Sequence, residues 1–341
     1  MRSNEIRLID FLLLGGGLAS ATAAETLRAA GAEGSLAILC AETTPPYHRP
    51  PLSKGFLHNS PKQTNILIHD EAFYRDHEID IHLGARVCRV DGESRTVETD
   101  RDRFRFGKLL IATGASVDKL AAPGAHLRGI HYLRTVNDAL SLYESILHAR
   151  RAVVIGASFL GMELAAALVT RGVGTTLIAR EDLVYEKLCS PEISEFFTEY
   201  FRQRTVELIF EEEVKQFSGT TQVEAVVTKS GKVVPCNLVA IGIGVHPETG
   251  FLDNSGIAVD GGILVNQQLE TNRPGIYAAG DVANFYNPIA RARYRAEHWD
   301  NAVKQGRIAA WNMLGEQQIL AHSVILLFCC IRLDLQCGGF N

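Results

Sequence analysis

Cysteine is sparse and unpatterned in this chain of 341 residues. Cys40, Cys88, Cys189, Cys236, Cys329, Cys330 and Cys337 are scattered, and no two form a C-x-x-C pair. That excludes a disulfide framework and a cysteine-based zinc site, both of which need close, regular spacings. A reducing cytoplasm is the expected setting. A large excess of either charge is missing too: 34 Lys and Arg stand against 39 Asp and Glu, a net charge of −5. Such a balance predicts no wholesale attraction to nucleic acid or to an anionic membrane. No apolar run approaches the ~20 residues that span a bilayer. Nor does the N-terminus show the basic, apolar and small-residue order of a secretion signal.

What is present is a unit of structure written twice. Residues 8–14 are nearly all apolar, which predicts a strand covered on both faces. Three glycines follow, then an alanine- and leucine-rich helix over 19–30 closed by Gly31 and Gly34, then a second strand over 35–39. The same order returns as a strand at 152–155, a helix at 159–171 and a strand at 175–178. An internal pair of this kind predicts two sites for nucleotide-containing ligands. Further strands ending in glycine are expected at 108–113, before Gly114, and at 238–244 and 275–281. The length accommodates two hydrophobic cores. The expected architecture is α/β with two Rossmann-like, doubly wound modules. One is discontinuous over 1–115 and 246–315, the other is inserted at 116–245, and an atypical tail occupies 316–341.

Each strand-to-helix turn carries glycine for a physical reason. In Gly15-Gly16-Gly17-Leu18-Ala19-Ser20, Gly15 permits the tight turn and Gly17 lets the backbone approach a diphosphate. The helix start then offers free N–H groups and a positive dipole end. Glu42, just past the second strand, stands where a carboxylate accepts from ribose hydroxyls, or else it is a solvated loop acid. In Gly156-Ala157-Ser158-Phe159-Leu160-Gly161, serine replaces the middle glycine and offers its hydroxyl to a phosphate. Arg180 occupies the second copy's counterpart of Glu42 and suits a 2′-phosphate, which inclines the reading to NADPH. Glu181 and Asp182 follow at once and leave NADH open.

Five motifs in order, spanning about 8–315, carry a resemblance. They are the glycine turns, Pro46-Tyr47-His48-Arg49-Pro50-Pro51-Leu52-Ser53-Lys54, Ala112-Thr113-Gly114, Gly161-Met162-Glu163, and the run from Thr271 through Pro274-Gly275-Ile276-Tyr277-Ala278-Ala279-Gly280-Asp281. The sequence resembles FAD-dependent pyridine nucleotide oxidoreductases of the ferredoxin and rubredoxin reductase, monodehydroascorbate reductase and apoptosis-inducing-factor-like branch. The resemblance implies FAD and NADH or NADPH as cofactors. It implies that Asp281 binds the FAD ribityl chain, that Gly280 lets the backbone pass the flavin, and that Arg49 and Lys54 lie beside the flavin and its phosphates. Glu163 would face Lys54 and orient the nicotinamide amide; otherwise the two are a surface ion pair of ~0–1 kcal/mol. Arg134 would contact FAD, Val87 the adenine, Gly242 the second nucleotide, and His298 and Trp299 the flavin pyrimidine end. Trp299 reads equally as a core residue at a helix start.

No cysteine occurs in 41–87 or 137–188, where disulfide reductases of the wider superfamily keep their redox pair. Electrons would leave directly to an outside acceptor. A ferredoxin-like or Rieske iron–sulfur protein is the leading partner, for a monomer or homodimer. A monodehydroascorbate or quinone acceptor and a flavin-bound signalling role are alternatives. Arg291, Arg293 and Arg295 alternate, so an extended segment would put them on one side as a docking patch, or else they are solvated. Branch members continue with a third domain; here 316–341 resembles none of it, which reads as a shifted frame or a natural short tail.

Overall fold

A computed structural model describes residues 6–58, 66–186, 190–287 and 291–320. Most of the tail expected over 316–341 therefore lies outside the described residues, as do Cys189, Cys329, Cys330 and Cys337. The chain forms two units, one within 6–48, 66–116 and 246–320, the other within 49–58, 117–186 and 190–245. Residues 49–58, expected in the first module, group with the second because Arg49, Ser53 and Lys54 hydrogen-bond partners there.

The first unit begins with β1 (Ile6–Leu14), α1 (Leu18–Ala29) and β2 (Leu36–Cys40). It continues with β3 (Ile79–Leu83), β4 (Val87–Asp91), β5 (Thr96–Thr99) and β6 (Arg103–Ile111). The sheet order is β3-β2-β1-β6-β5-β4, with the first four strands parallel and the rest antiparallel. Leu12, Leu13 and Leu14 are wholly buried, each contributing about 1.5–3 kcal/mol. The expectation that β1 is covered along both faces fails in its first half, where Leu8 is 70% exposed. Register explains this: β2 joins only from Phe11 onward, so residues 6–9 pair with β6 alone.

The second unit is built on β7 (Ile130–Tyr132), α2 (Val136–His148), β8 (Arg151–Ile155), α3 (Phe159–Thr170) and β9 (Gly174–Ile178). After α4 (Pro191–Gln203) come β10 (Glu207–Ile209) and β11 (Leu238–Ile241). The five strands are all parallel, in order β10-β9-β8-β11-β7. A reciprocal capping box starts α2, with Thr135 accepting from the Asp138 N–H and Asp138 from the Thr135 N–H. Val153, Ile155, Ile178, Val239 and Ile241 form one core with Phe217, Val226 and Val234 of an antiparallel meander.

The chain then returns to the first unit. There β12 (Ile276–Ala278) pairs in parallel with Leu109–Ile111 of β6. Next, α5 (Trp299–Met313) lies against α1, so close that a Cβ on Gly306 would meet the Ala19 carbonyl oxygen. Among the described residues, no helix is long and apolar enough to cross a membrane.

Candidate functional site

In each unit the strand before the glycine turn, β1 in the first and β8 in the second, ends where the sheet order reverses, the place at which open α/β sheets receive ligands. In the first unit Gly15, at φ +106°, turns the chain from β1 toward α1, and any Cβ there would strike the Ala112 carbonyl oxygen just past β6. Gly17 is the N-cap of α1, has open space where a Cβ would stand, and offers no side-chain cap. The first turn, from Leu18 through Ala19 and the fully buried Ser20, holds no acid. Its N–H groups are thus left to a solvent molecule or an anion. Ser20 Oγ is buried without a hydrogen-bond partner, a second sign that the turn is completed from outside the chain. A dinucleotide's diphosphate fits such a turn.

The surroundings are held by the first unit's own bonds. Glu42, half-buried beyond β2, accepts from the Tyr47 hydroxyl at 2.6 Å. Val87 opens β4, half-buried opposite Thr99. Ala112-Thr113-Gly114 leaves β6 toward Glu248: the Thr113 hydroxyl donates to the Glu248 carbonyl at 2.9 Å, and Gly114 (φ +72°) accepts the Glu248 N–H at 3.0 Å. Gly280, at φ +79°, lies against Ala19 at the start of α1. Its N–H is donated to Gln305 Oε1 at 2.8 Å, and Asp281 follows in the same turn. His298 caps α5, its Nδ1 accepting the Asp300 N–H at 3.2 Å. Burial holds the His298 pKa below its ordinary range, against the opposing pull of Asp300 and Asp281. Trp299 is 53% exposed, so the core reading of that residue is wrong.

The second unit repeats the turn with closer packing. A Cβ on Gly156 (φ +105°) would meet the Gly242 carbonyl oxygen, and one on Gly161 would meet the Gly156 carbonyl oxygen. Ser158, exposed at the N-cap of α3, makes no side-chain cap bond; its hydroxyl donates to the Gly242 carbonyl at 3.3 Å. The half-buried Phe159 ring packs 5.1 Å from that of Tyr185, beside the half-buried Leu160. Arg180 is exposed and pairs with Glu181 at 3.0 Å, so the two residues that pointed in opposite directions in the sequence bind each other.

One turn into α3, Glu163 Oε1 receives the Lys54 ammonium at 2.7 Å, while Oε2 accepts the Ser53 hydroxyl. With Lys54 42% and Glu163 21% exposed, the pair adds about 0–1 kcal/mol to stability. Its consequence is a fixed presentation of charge. Arg49 donates to the Arg134 carbonyl, and the Arg134 N–H is held by Asp138 at 3.1 Å. Sequence reasoning missed Ser53 and Gln305; the first lay inside a quoted motif, and the second had no local signal.

Of the three alternating arginines, Arg291 and Arg293 are exposed and Arg295 is half-buried. Arg293 donates to the Asn284 carbonyl at 2.9 Å, and Arg295 to Glu297 at 2.8 Å and to the Asp281 carbonyl at 3.2 Å. Arg295 therefore braces the turn that carries Asp281.

The sequence matches the pyridine nucleotide-disulphide oxidoreductase family over residues 9–306. It is 34% identical to rhodocoxin reductase from Rhodococcus erythropolis, over 90% of this chain and 72% of that protein. A ferredoxin reductase from Rhodopseudomonas palustris superposes with a TM-score of 0.88 at 31% identity, covering 91% of this chain and 77% of that one. The reductase in a covalent putidaredoxin reductase–putidaredoxin complex gives 0.87 at 29%, covering 90% and 76%. With two glycine turns at two sheet switch points and a match that spans both units, the chain belongs to the pyridine nucleotide-disulphide oxidoreductase family.

Proposed function

We propose that this FAD-dependent NAD(P)H oxidoreductase is a reductase component that feeds electrons to a small iron–sulfur protein, ferredoxin-like or Rieske. The flavin these residues would hold would supply hydride acceptance from a nicotinamide and one-electron release to the partner. The turn from Gly15 through Gly17 to Ser20 holds the FAD diphosphate, with Glu42 toward the ribose and Val87 toward the adenine. Thr113 and Gly114 line the exit of β6, and the Gly280–Asp281 turn takes the ribityl chain, with His298 and Trp299 toward the pyrimidine end. Gly156, Ser158, Phe159, Leu160, Gly161, Gly242 and Arg180 belong to the nicotinamide nucleotide. Lys54 sets a positive charge against the negative charge that reduction builds up, Glu163 orients the carboxamide, and Arg49 and Arg134 stand by as backbone-tethered cations.

The Lys54–Glu163 pair, held in the unit that carries the second glycine turn, is the observation that carries this reading. Sequence supports an external acceptor, because 41–87 and 137–188 hold no cysteine for a dithiol relay. A reducing cytosol suits Cys40, Cys88 and Cys236, which are all free thiols. A small-molecule acceptor of the monodehydroascorbate or quinone type is the second reading, favoured by the engagement of Arg293 and Arg295 within their own unit. The test is anaerobic titration of the purified yellow protein with NADH and NADPH, followed by turnover with ferredoxin, a Rieske protein, monodehydroascorbate and a quinone. Bleaching without reduction of any iron–sulfur protein sinks the leading reading.

A further inference from the structure

Ser53 sits one residue before Lys54, at the end of a short 3-10 turn, Pro50–Ser53, and is 7% exposed. Two prolines open that turn and fix its backbone, so the hydroxyl has few places to go. It has two acceptors. The Pro50 carbonyl is 3.4 Å away, at the limit of a hydrogen bond, and Glu163 Oε2 is much nearer. The single proton therefore goes to the carboxylate, whose other oxygen holds the Lys54 ammonium at 2.7 Å. One carboxylate is thus gripped at both ends by consecutive residues of a rigid turn. A carboxylate held at one oxygen swings about its terminal torsion, which is broad and nearly two-fold. Held at both, it has one orientation, and so does the long lysine side chain that follows it.

We infer that Ser53 is a positioning residue: its hydroxyl fixes the Glu163 carboxylate so that Lys54 is held in a single place. This deepens the proposed function, on which its catalytic meaning rests, but the contact exists in the protein whatever the acceptor. The chemistry asks for a fixed lysine because electrostatic help depends on charges already in place when they are needed. Without the hydroxyl, Oε2 turns away, the ammonium follows only part of the time, and the lysine spends more time unpaired in solvent.

The experiment reads Lys54 directly, without turnover. Trace acetylation of the FAD-loaded protein, quantified by mass spectrometry of the peptide carrying Lys54, gives its rate relative to Lys229, an exposed lysine of the meander. Ser53→Ala is expected to raise the Lys54 rate about two- to ten-fold, the range of a net hydrogen bond, and Ser53→Thr to return it to within about two-fold of the parent. In a Glu163→Ala background the Ser53→Ala change is expected to add nothing. Equal Lys54 rates in the parent and Ser53→Ala overturn the inference, as does a Ser53→Ala effect that survives in Glu163→Ala. A protein that fails to oxidise NADH yet shows this labelling pattern overturns the reductase reading and leaves the positioning role standing. As a kinetic companion, Ser53→Ala should lower kcat for flavin reduction more than it raises KM for NADH; a rise in KM alone overturns the inference.

Discussion

Gln305, a fully enclosed side chain, accepts the Gly280 N–H with its Oε1 at 2.8 Å. That one bond ties α5 to the turn that carries Asp281. Gln305→Leu leaves the Gly280 N–H buried and unsatisfied, an effect of about 1–3 kcal/mol. Urea unfolding should show that loss, and the purified variant should carry less FAD than the parent. Unchanged stability together with full FAD content would dissociate Gln305 from the turn.

Lys54→Met and Glu163→Gln separate the two roles at the charged pair. Stopped-flow reduction under anaerobic conditions should slow on the order of 100-fold for Lys54→Met, the scale of removing one preorganised electrostatic group. Glu163→Gln should weaken NAD(P)H binding and also slow reduction, by a smaller factor, because it loosens the hold on Lys54. Neither change should move the melting temperature by more than a degree or two, because a pair with Lys54 42% exposed contributes little to folding.

In an ordinary helix, Gly→Ala stabilises by roughly 0.5–1 kcal/mol. Gly161→Ala should do the reverse. Its methyl group would meet the Gly156 carbonyl oxygen, and overpacking of this kind costs about 1–3 kcal/mol. The variant should lose NAD(P)H affinity by calorimetry while retaining its yellow colour, because the clash lies in the second unit alone. A colourless variant would contradict this division of labour.

Acid should weaken the fold through His131. Burial lowers its pKa from the ordinary 6.5, with Asp138 pulling the other way, and its Nε2 is buried without a partner. The folded chain therefore resists a proton that the unfolded chain takes up readily. Stability is fully present above 6.5 and is lost as the pH falls from there through the lowered folded value. Melting temperatures taken between pH 7.5 and 5 should fall, and His131→Gln should flatten part of that slope. An identical slope in the variant would remove His131 from the account.

The glycine turns were legible because their signal is local: a strand, a glycine with positive φ and a helix start fit within a dozen residues. Glu163 beside Lys54 came from the family resemblance, since no local rule joins residues 109 positions apart. Ser53 was hidden for the same reason, its partner being 110 positions away. Alternation in Arg291, Arg293 and Arg295 suggested one exposed face, but periodicity says nothing about which carbonyls a guanidinium finds, and Arg293 found that of Asn284. Leu8 looked like core because apolar composition does not reveal where a neighbouring strand begins. For Trp299 size left a core reading open beside the flavin one, because large aromatic side chains are buried on average, and this one is not.

Cys40 ends β2 with its sulfur 2.7 Å from where a Cβ on Gly16 would stand, and burial pushes its thiol up to about 12. While β2 keeps its place, that sulfur is chemically silent, and no adduct fits beneath the turn. Modification of Cys40 by a thiol reagent thus becomes a clock for breathing of the first glycine turn. A ligand seated on the glycines should slow that clock, whatever finally receives the electrons.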